Sequence, residues 1–136
     1  MQNKKRRLLV LNLGSTSSQI SVFENEDEIA SISISHTLEE LNANPGIDGQ
    51  FKMRKRIIEK VLAEKNFVFE SFDAIAVRGM GAPGRYCAGA YLVDDRLAED
   101  ALLGNHVGLA SASIIANDWS KQYGIPAYLY DVVATD

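Results

Sequence analysis

The spacing of apolar and polar residues changes character along this 136-residue chain. Arg7 to Leu13 is an apolar run rich in Leu and Val, the length of a buried strand. From Ser18 to Glu24 the pattern alternates, with Ile20 and Val22 facing one way and Ser21 and Phe23 the other. Small, turn-forming residues join the two runs, which predicts a hairpin with an unusually polar loop. Ile29 to Ile34 continues the alternation, setting Ile32 and Ile34 opposite Ser31, Ser33 and Ser35, with Asn25-Glu26-Asp27 as the turn before it. The first part of the chain therefore reads as an antiparallel meander.

Past the loop-forming Asn42-Ala43-Asn44-Pro45-Gly46 the period lengthens. From Gly49 to Lys65 apolar residues recur at helical spacing, with Phe51, Ile58 and Leu62 on one stripe and Met53, Ile57 and Val61 beside it. The cations Lys52, Arg54, Lys55, Arg56 and Lys60 are assigned to the other, solvated face. Phe72 to Val77 reads as a strand ending at Arg78-Gly79-Met80-Gly81, followed by an irregular glycine-rich segment through Gly89. Asp94 can cap a short helix to Leu103, closed by Gly104. Asn105 can cap a longer one to Tyr123, stopped by Gly124 with Pro126 beyond, and Ala127 to Val133 is the last strand.

Strands alternating with helices imply right-handed crossovers and parallel pairing in this half. A meander feeding a parallel half is the α/β pattern of the ribonuclease-H-like, actin-like domain: a mixed sheet whose first three strands are antiparallel and whose later strands are parallel. In that arrangement the ends of the first, fourth and fifth predicted strands share one edge, where chemistry is to be sought.

Composition narrows the setting. Hydrophobic residues at 46% and charged residues at 24% are those of a folded domain, and the length suits one domain. A net charge of -4 argues against a nucleic-acid partner, and the basic helix face is better explained by solvation. The 1 Cys, Cys87, has no partner for an intrachain disulfide, which fits a reducing compartment and an inert thiol. The basic Lys4 to Arg7 before Leu8 to Leu11 superficially resembles a signal peptide, but Asn12 and the polar stretch after it cut the apolar core short. With no run long enough to cross a bilayer, the expectation is a cytoplasmic domain with no membrane partner.

Polar clusters fall at the predicted edge: Asn12-Leu13-Gly14-Ser15-Thr16-Ser17-Ser18, Arg78-Gly79, and Asp131. Asn105-His106 stands at a helix start, where the dipole favours anions. A Gly-Ser-Thr turn offers N–H groups and hydroxyls to a phosphate. Arginine offers a planar fork of donors to phosphoryl oxygens. An aspartate can orient a nucleophile or hold magnesium through water. Each has a plainer reading, as a hairpin turn, a surface ion pair or a loop cap, and their convergence on one edge is what favours chemistry. His36 is expected in a structural hydrogen bond at a strand end, and Trp119 and Tyr123, one helical turn apart, in packing with Ala112 and Ala116.

These segments are also recognisable. Leu9 to Glu24, with its Asn12-Leu13-Gly14-Ser15-Thr16-Ser17-Ser18 core, resembles the opening of butyrate kinases, short-chain carboxylate kinases related to acetate kinase. The likeness continues through Ser35-His36-Thr37-Leu38-Glu39-Glu40-Leu41, Asp73 to Gly79, Gly89-Ala90-Tyr91 and Gly124 to Tyr128. It implies phosphoryl transfer between ATP and a short-chain carboxylate, butyrate or similar, with Mg2+. By matching position, Asn12 belongs to the metal and phosphate end, and Gly14, Ser15, Thr16 and Ser17 to the phosphate loop. Arg78 would stabilise charge on the moving phosphoryl group, His106 would donate a hydrogen bond to it, and Asp131 would be the catalytic aspartate near the metal.

The chain departs from the family's pattern at several points. Gln19 stands where the family usually has Lys, and Leu13 where it has a small residue or Pro. Val107 to Ser111 lacks the Asn expected soon after His106, and Met80 interrupts a paired glycine. The resemblance further implies a C-terminal, adenosine-binding domain that also builds much of the interface of homo-oligomeric relatives. The chain is thus expected to be the N-terminal domain of such a kinase, a piece of it or a shortened gene product, inactive alone. Two other readings are a non-catalytic binding or regulatory relative and half of a sugar or polyol kinase.

Overall fold

A computed structural model describes residues 5–78, 89–102 and 107–131. The meander is present as read: β1 (Arg7–Leu13), β2 (Ser17–Glu24) and β3 (Asp27–Ser35) pair antiparallel in sequence order. The turn before β3 places Asn25 at φ 56°, a left-handed conformation that asparagine tolerates, and its side-chain oxygen accepts from the Arg6 N–H at 3.1 Å. A short helix not foreseen from spacing, α1 (Leu38–Ala43), follows. Its start is a capping box: the Thr37 hydroxyl accepts from Glu40 N–H at 3.1 Å while the Glu40 carboxylate accepts from Thr37 N–H at 2.9 Å.

The long helix α2 spans Gly46–Glu64, starting three residues earlier than its periodicity suggests, directly after Pro45. A single 3₁₀ turn over Phe69–Ser71 precedes β4 (Ala74–Arg78). Phe72 is core but outside the ladder, because Asp73 anchors the strand entrance: its N–H donates to the Arg7 carbonyl, and its carboxylate accepts from Arg7 N–H at 2.8 Å. A four-residue strand, β5 (Gly89–Leu92), begins at the last residue of the segment read as irregular and was not foreseen. Then come α3 (Asp95–Ala101), capped by Asp94 through Leu97 N–H, α4 (Val107–Tyr123) and β6 (Ala127–Asp131). Gly124, at φ +67°, ends α4 where expected. Gly79-Met80-Gly81, Cys87, Leu103, Gly104, Asn105, His106 and Val132-Val133, singled out in the sequence, lie outside the described residues.

The strand order is β3-β2-β1-β4-β6-β5. β1, β4 and β6 run parallel as expected. β5 corrects the picture of a uniformly parallel second half, since it pairs antiparallel with β6 at the sheet edge. Register puts Leu9, Leu11, Leu13, Ile20, Val22, Ile75, Val77, Ala127 and Leu129 on one face, all buried against Ile58 and Leu62 of α2 and Ile115, Ala116 and Trp119 of α4. The opposite face is polar or only partly covered, with Leu8, Val10, Ala74 and Ala76 half-buried and Tyr128 and Tyr130 exposed. Trp119 packs as predicted, its indole N–H donating to Glu59 at 2.9 Å and its ring 4.7 Å from Phe69, which stacks on Tyr123. No described helix is long and apolar enough to cross a membrane.

Candidate functional site

The shared register of three strands sets residues side by side at one edge. Asn12 of β1 is the ladder partner of Gln19 on β2 and of Arg78 on β4, and Arg78 is in turn the partner of Tyr130 on β6. Gln19, Asn12, Arg78 and Tyr130 thus form one row across the less covered face, because their parity opposes that of Leu11, Ile20, Val77 and Leu129. Arg78 is exposed and makes no ion pair among the described residues. Asp131 ends β6 one residue beyond Tyr130, at the same edge. His106 lies outside the described residues, immediately before α4.

The loop from Gly14 to Ser17 crowns this row. Gly14 N–H donates to the Ser17 carbonyl at 2.8 Å, closing the turn. The Thr16 carbonyl accepts from His36 N–H at 2.8 Å. Ser15, Thr16 and Ser17 are exposed, and the N–H groups of Ser15 and Thr16 have no protein partner among the described residues. Unpaired N–H groups and hydroxyls on a tight turn are suited to phosphate oxygens. The first turn of α4 abuts the same loop: a Cβ on Gly108 would come within 2.7 Å of the Gly14 carbonyl carbon, so only glycine permits this approach. The positive end of that helix is thereby brought to the loop.

One assignment from the sequence is corrected here. Arg54 was expected on the solvated face of α2, yet it is fully buried, whereas Lys52, Arg56 and Lys60 are exposed. Its guanidinium reaches under the loop, donating from Nη2 to the Ser15 carbonyl at 2.9 Å and from Nη1 to the Ser17 carbonyl at 2.9 Å. Nη1 also donates to Ser18 Oγ at 3.3 Å, and Nε to Gln50 Oε1 at 3.1 Å. The signal was present in the sequence: Gln50, Arg54, Ile58 and Leu62 recur every fourth residue, a single helical ridge whose members are all buried. Ser18 Oγ lies 2.8 Å from His36 Nε2, confirming the structural bond expected of this histidine. Burial, and then the nearby Arg54 charge, hold the His36 pKa below its ordinary value, while burial lowers that of Arg54.

The donor set distinguishes between ligands. Among the described residues no three His, Cys, Asp or Glu side chains cluster to hold a metal ion. The row offers a metal only neutral oxygens, the Asn12 and Gln19 amides and the Tyr130 hydroxyl, whereas the loop presents N–H and O–H donors. Magnesium commonly takes one or two carboxylates plus phosphates and water, so the described part fits a phosphate first and a metal chiefly through it.

No family model matches the chain. It is 41% identical over 134 residues to butyrate kinase 2 of Clostridium acetobutylicum, covering 97% of this chain and 37% of that protein. Butyrate kinase 1 of the same organism is 36% identical over 132 residues, with 96% and 37% covered. The chain thus spans little more than a third of the length of these relatives. Among solved structures, acetate kinase from Entamoeba histolytica superposes with TM-score 0.61 at 15% identity, over 94% of this chain and 36% of that one. A propionate kinase from Francisella tularensis gives 0.59 at 16%, over 95% and 37%. Over nearly its whole length the chain is therefore similar in sequence to butyrate kinases, and its fold is the ribonuclease-H-like, actin-like one that acetate and propionate kinases also display.

Proposed function

We propose that this chain supplies the phosphate and acid side of a short-chain carboxylate kinase, which moves a phosphoryl group from ATP to butyrate or a similar acid. The observation that carries the reading is the ladder pairing of Asn12 with Arg78 beside an exposed loop whose Ser15 and Thr16 N–H groups have no partner among the described residues. Similarity to butyrate kinases supports the choice of acceptor. A carboxylate is already ionised at neutral pH, so its oxygen can attack the terminal phosphorus of ATP without a strong general base, and ADP leaves. Such transfers depend on positioning and on neutralising charge.

In this reading the Ser15 and Thr16 N–H groups and the Ser15, Thr16 and Ser17 hydroxyls hold phosphate oxygens. Arg78 neutralises charge on the phosphoryl group in transit. His106 is assigned as a hydrogen-bond donor to it and Asp131 as the aspartate beside Mg2+, with the Asn12 amide oxygen turned to the same region. Mg2+ supplies charge neutralisation on the nucleotide phosphates when bound. The adenosine pocket belongs to a second, C-terminal domain, and the 37% coverage of the relatives supports that division.

The test compares acyl phosphate formation, trapped as hydroxamate, by the purified chain with Mg2+, ATP and butyrate. The chain alone should give none. Mixing it with a polypeptide carrying the rest of a butyrate kinase should restore formation, and Arg78→Ala should abolish it. Steady turnover by the chain alone would refute its being half of a site. Binding of glycerol beside Arg78, with butyrate and acetate excluded, would shift the acceptor to a polyol.

A further inference from the structure

Arg54 is fully buried, carries a charge, and is paired with no carboxylate among the described residues. All its partners are neutral: two backbone carbonyls of the loop, the Ser18 hydroxyl and the Gln50 amide. A buried guanidinium is costly unless hydrogen bonds and a counter-charge offset its desolvation. The hydrogen bonds are present, and among the described residues the counter-charge is not.

The same bonds fix the orientation of the loop. In a trans peptide the C=O and the following N–H point in opposite directions. With the Ser15 carbonyl drawn inward to Arg54, the Thr16 N–H is turned outward, and it has no partner among the described residues. The Thr16 carbonyl is occupied by His36 N–H, and the Ser17 carbonyl by both Gly14 N–H and Arg54. The carbonyl oxygens of Ser15, Thr16 and Ser17, which would repel a phosphate, are thereby engaged by protein donors.

We propose that Arg54 is a positioning residue of the loop: from beneath, it presets Ser15 to Ser17 for an anion, and the bound phosphate is its missing counter-charge. This deepens the reading of the loop as a phosphate site and rests on it. Arg54 touches neither reacting group, so its effect should appear in phosphate affinity and in the order of the loop.

Amide NMR of the chain, titrated with inorganic phosphate, separates the possibilities. In the wild type the Ser15, Thr16 and Ser17 amides should shift on titration. Arg54→Met should weaken phosphate binding about ten-fold or more, the scale of losing charged hydrogen bonds, and should loosen these amides even without ligand. Arg54→Lys keeps the charge and guards against a misfolded Met variant, but lacks the fork that spans two carbonyls. It should still bind several-fold more weakly. Wild-type affinity in the folded Lys variant, or an unchanged loop in the folded Met variant, would overturn the positioning role. If the wild-type loop ignores phosphate, the phosphate reading itself falls, while the ligand-free order of the loop still reports separately on Arg54.

Discussion

The surroundings of His36 disfavour its charged form, and the consequence is a specific dependence of stability on pH. It is buried, its Nε2 is engaged with Ser18 Oγ, its Nδ1 has no partner among the described residues, and Arg54 lies close by. Burial and that guanidinium disfavour the imidazolium, and the Glu40 carboxylate opposes them only in part. The unfolded chain takes up this proton near the ordinary value of 6.5, and the folded chain only at lower pH. Between those two values the unfolded state holds more protons, so stability falls as pH drops from 6.5 and levels off below the folded value. Glu24, Glu40 and Asp95, all held below their ordinary values, add their own losses only at more acidic pH. Thermal midpoints measured across the upper window should decline in the wild type and stay flat in His36→Gln; equal slopes would refute the assignment. The structural role of His36 was legible in the sequence because it follows an alternating strand. The burial of Arg54 was not, because residue type outweighed spacing in sorting that helix into faces.

Elements formed by local chemistry were the readable ones. The Asp94 cap, the Gly124 stop and the β1–β3 meander each depend on residues close in sequence. The Thr37–Glu40 capping box is equally local, yet α1 leaves no periodic apolar signal because it has only 6 residues and none of them is buried. β5 had no local signature at all: four residues at the sheet edge are defined by pairing with β6, far along the chain. Gly108 shows the same dependence on distant neighbours. In the sequence it marked a departure after His106, whereas in the fold it is the position at which α4 meets the loop backbone. Gly108→Ala must therefore push the first turn of α4 and Gly14 apart. The expected cost is about 1–3 kcal/mol of stability, as for other overpacked sites, read from urea unfolding. A companion loss of the Ser15 and Thr16 amide response to phosphate is also expected. Unchanged stability and response would mean that the helix and loop do not need this contact.

At the scale of the molecule, the sheet has two faces with different tasks. One packs against the helical layer and supplies the core; the other carries the Gln19-Asn12-Arg78-Tyr130 row and is incompletely covered. Sheets with parallel central strands ordinarily have both faces covered, so this asymmetry is a property of the described chain that single-residue changes can measure. Leu129 and Tyr128 are neighbours in β6 but point to opposite faces: Leu129 is fully buried, and Tyr128 is 43% exposed. Leu129→Ala leaves a cavity between β6 and the helices and should cost about 2–5 kcal/mol. Tyr128→Ser removes an aromatic ring that contributes little to the core and should change stability by no more than about 0.5 kcal/mol. If Tyr128→Ser instead destabilises the chain as much as Leu129→Ala, the second face is covered in solution, and the open edge on which Asn12 and Arg78 stand is closed by something beyond the described fold. If the two separate as expected, the row stands on a face free to meet a substrate, and the core of the domain is confined to its other side.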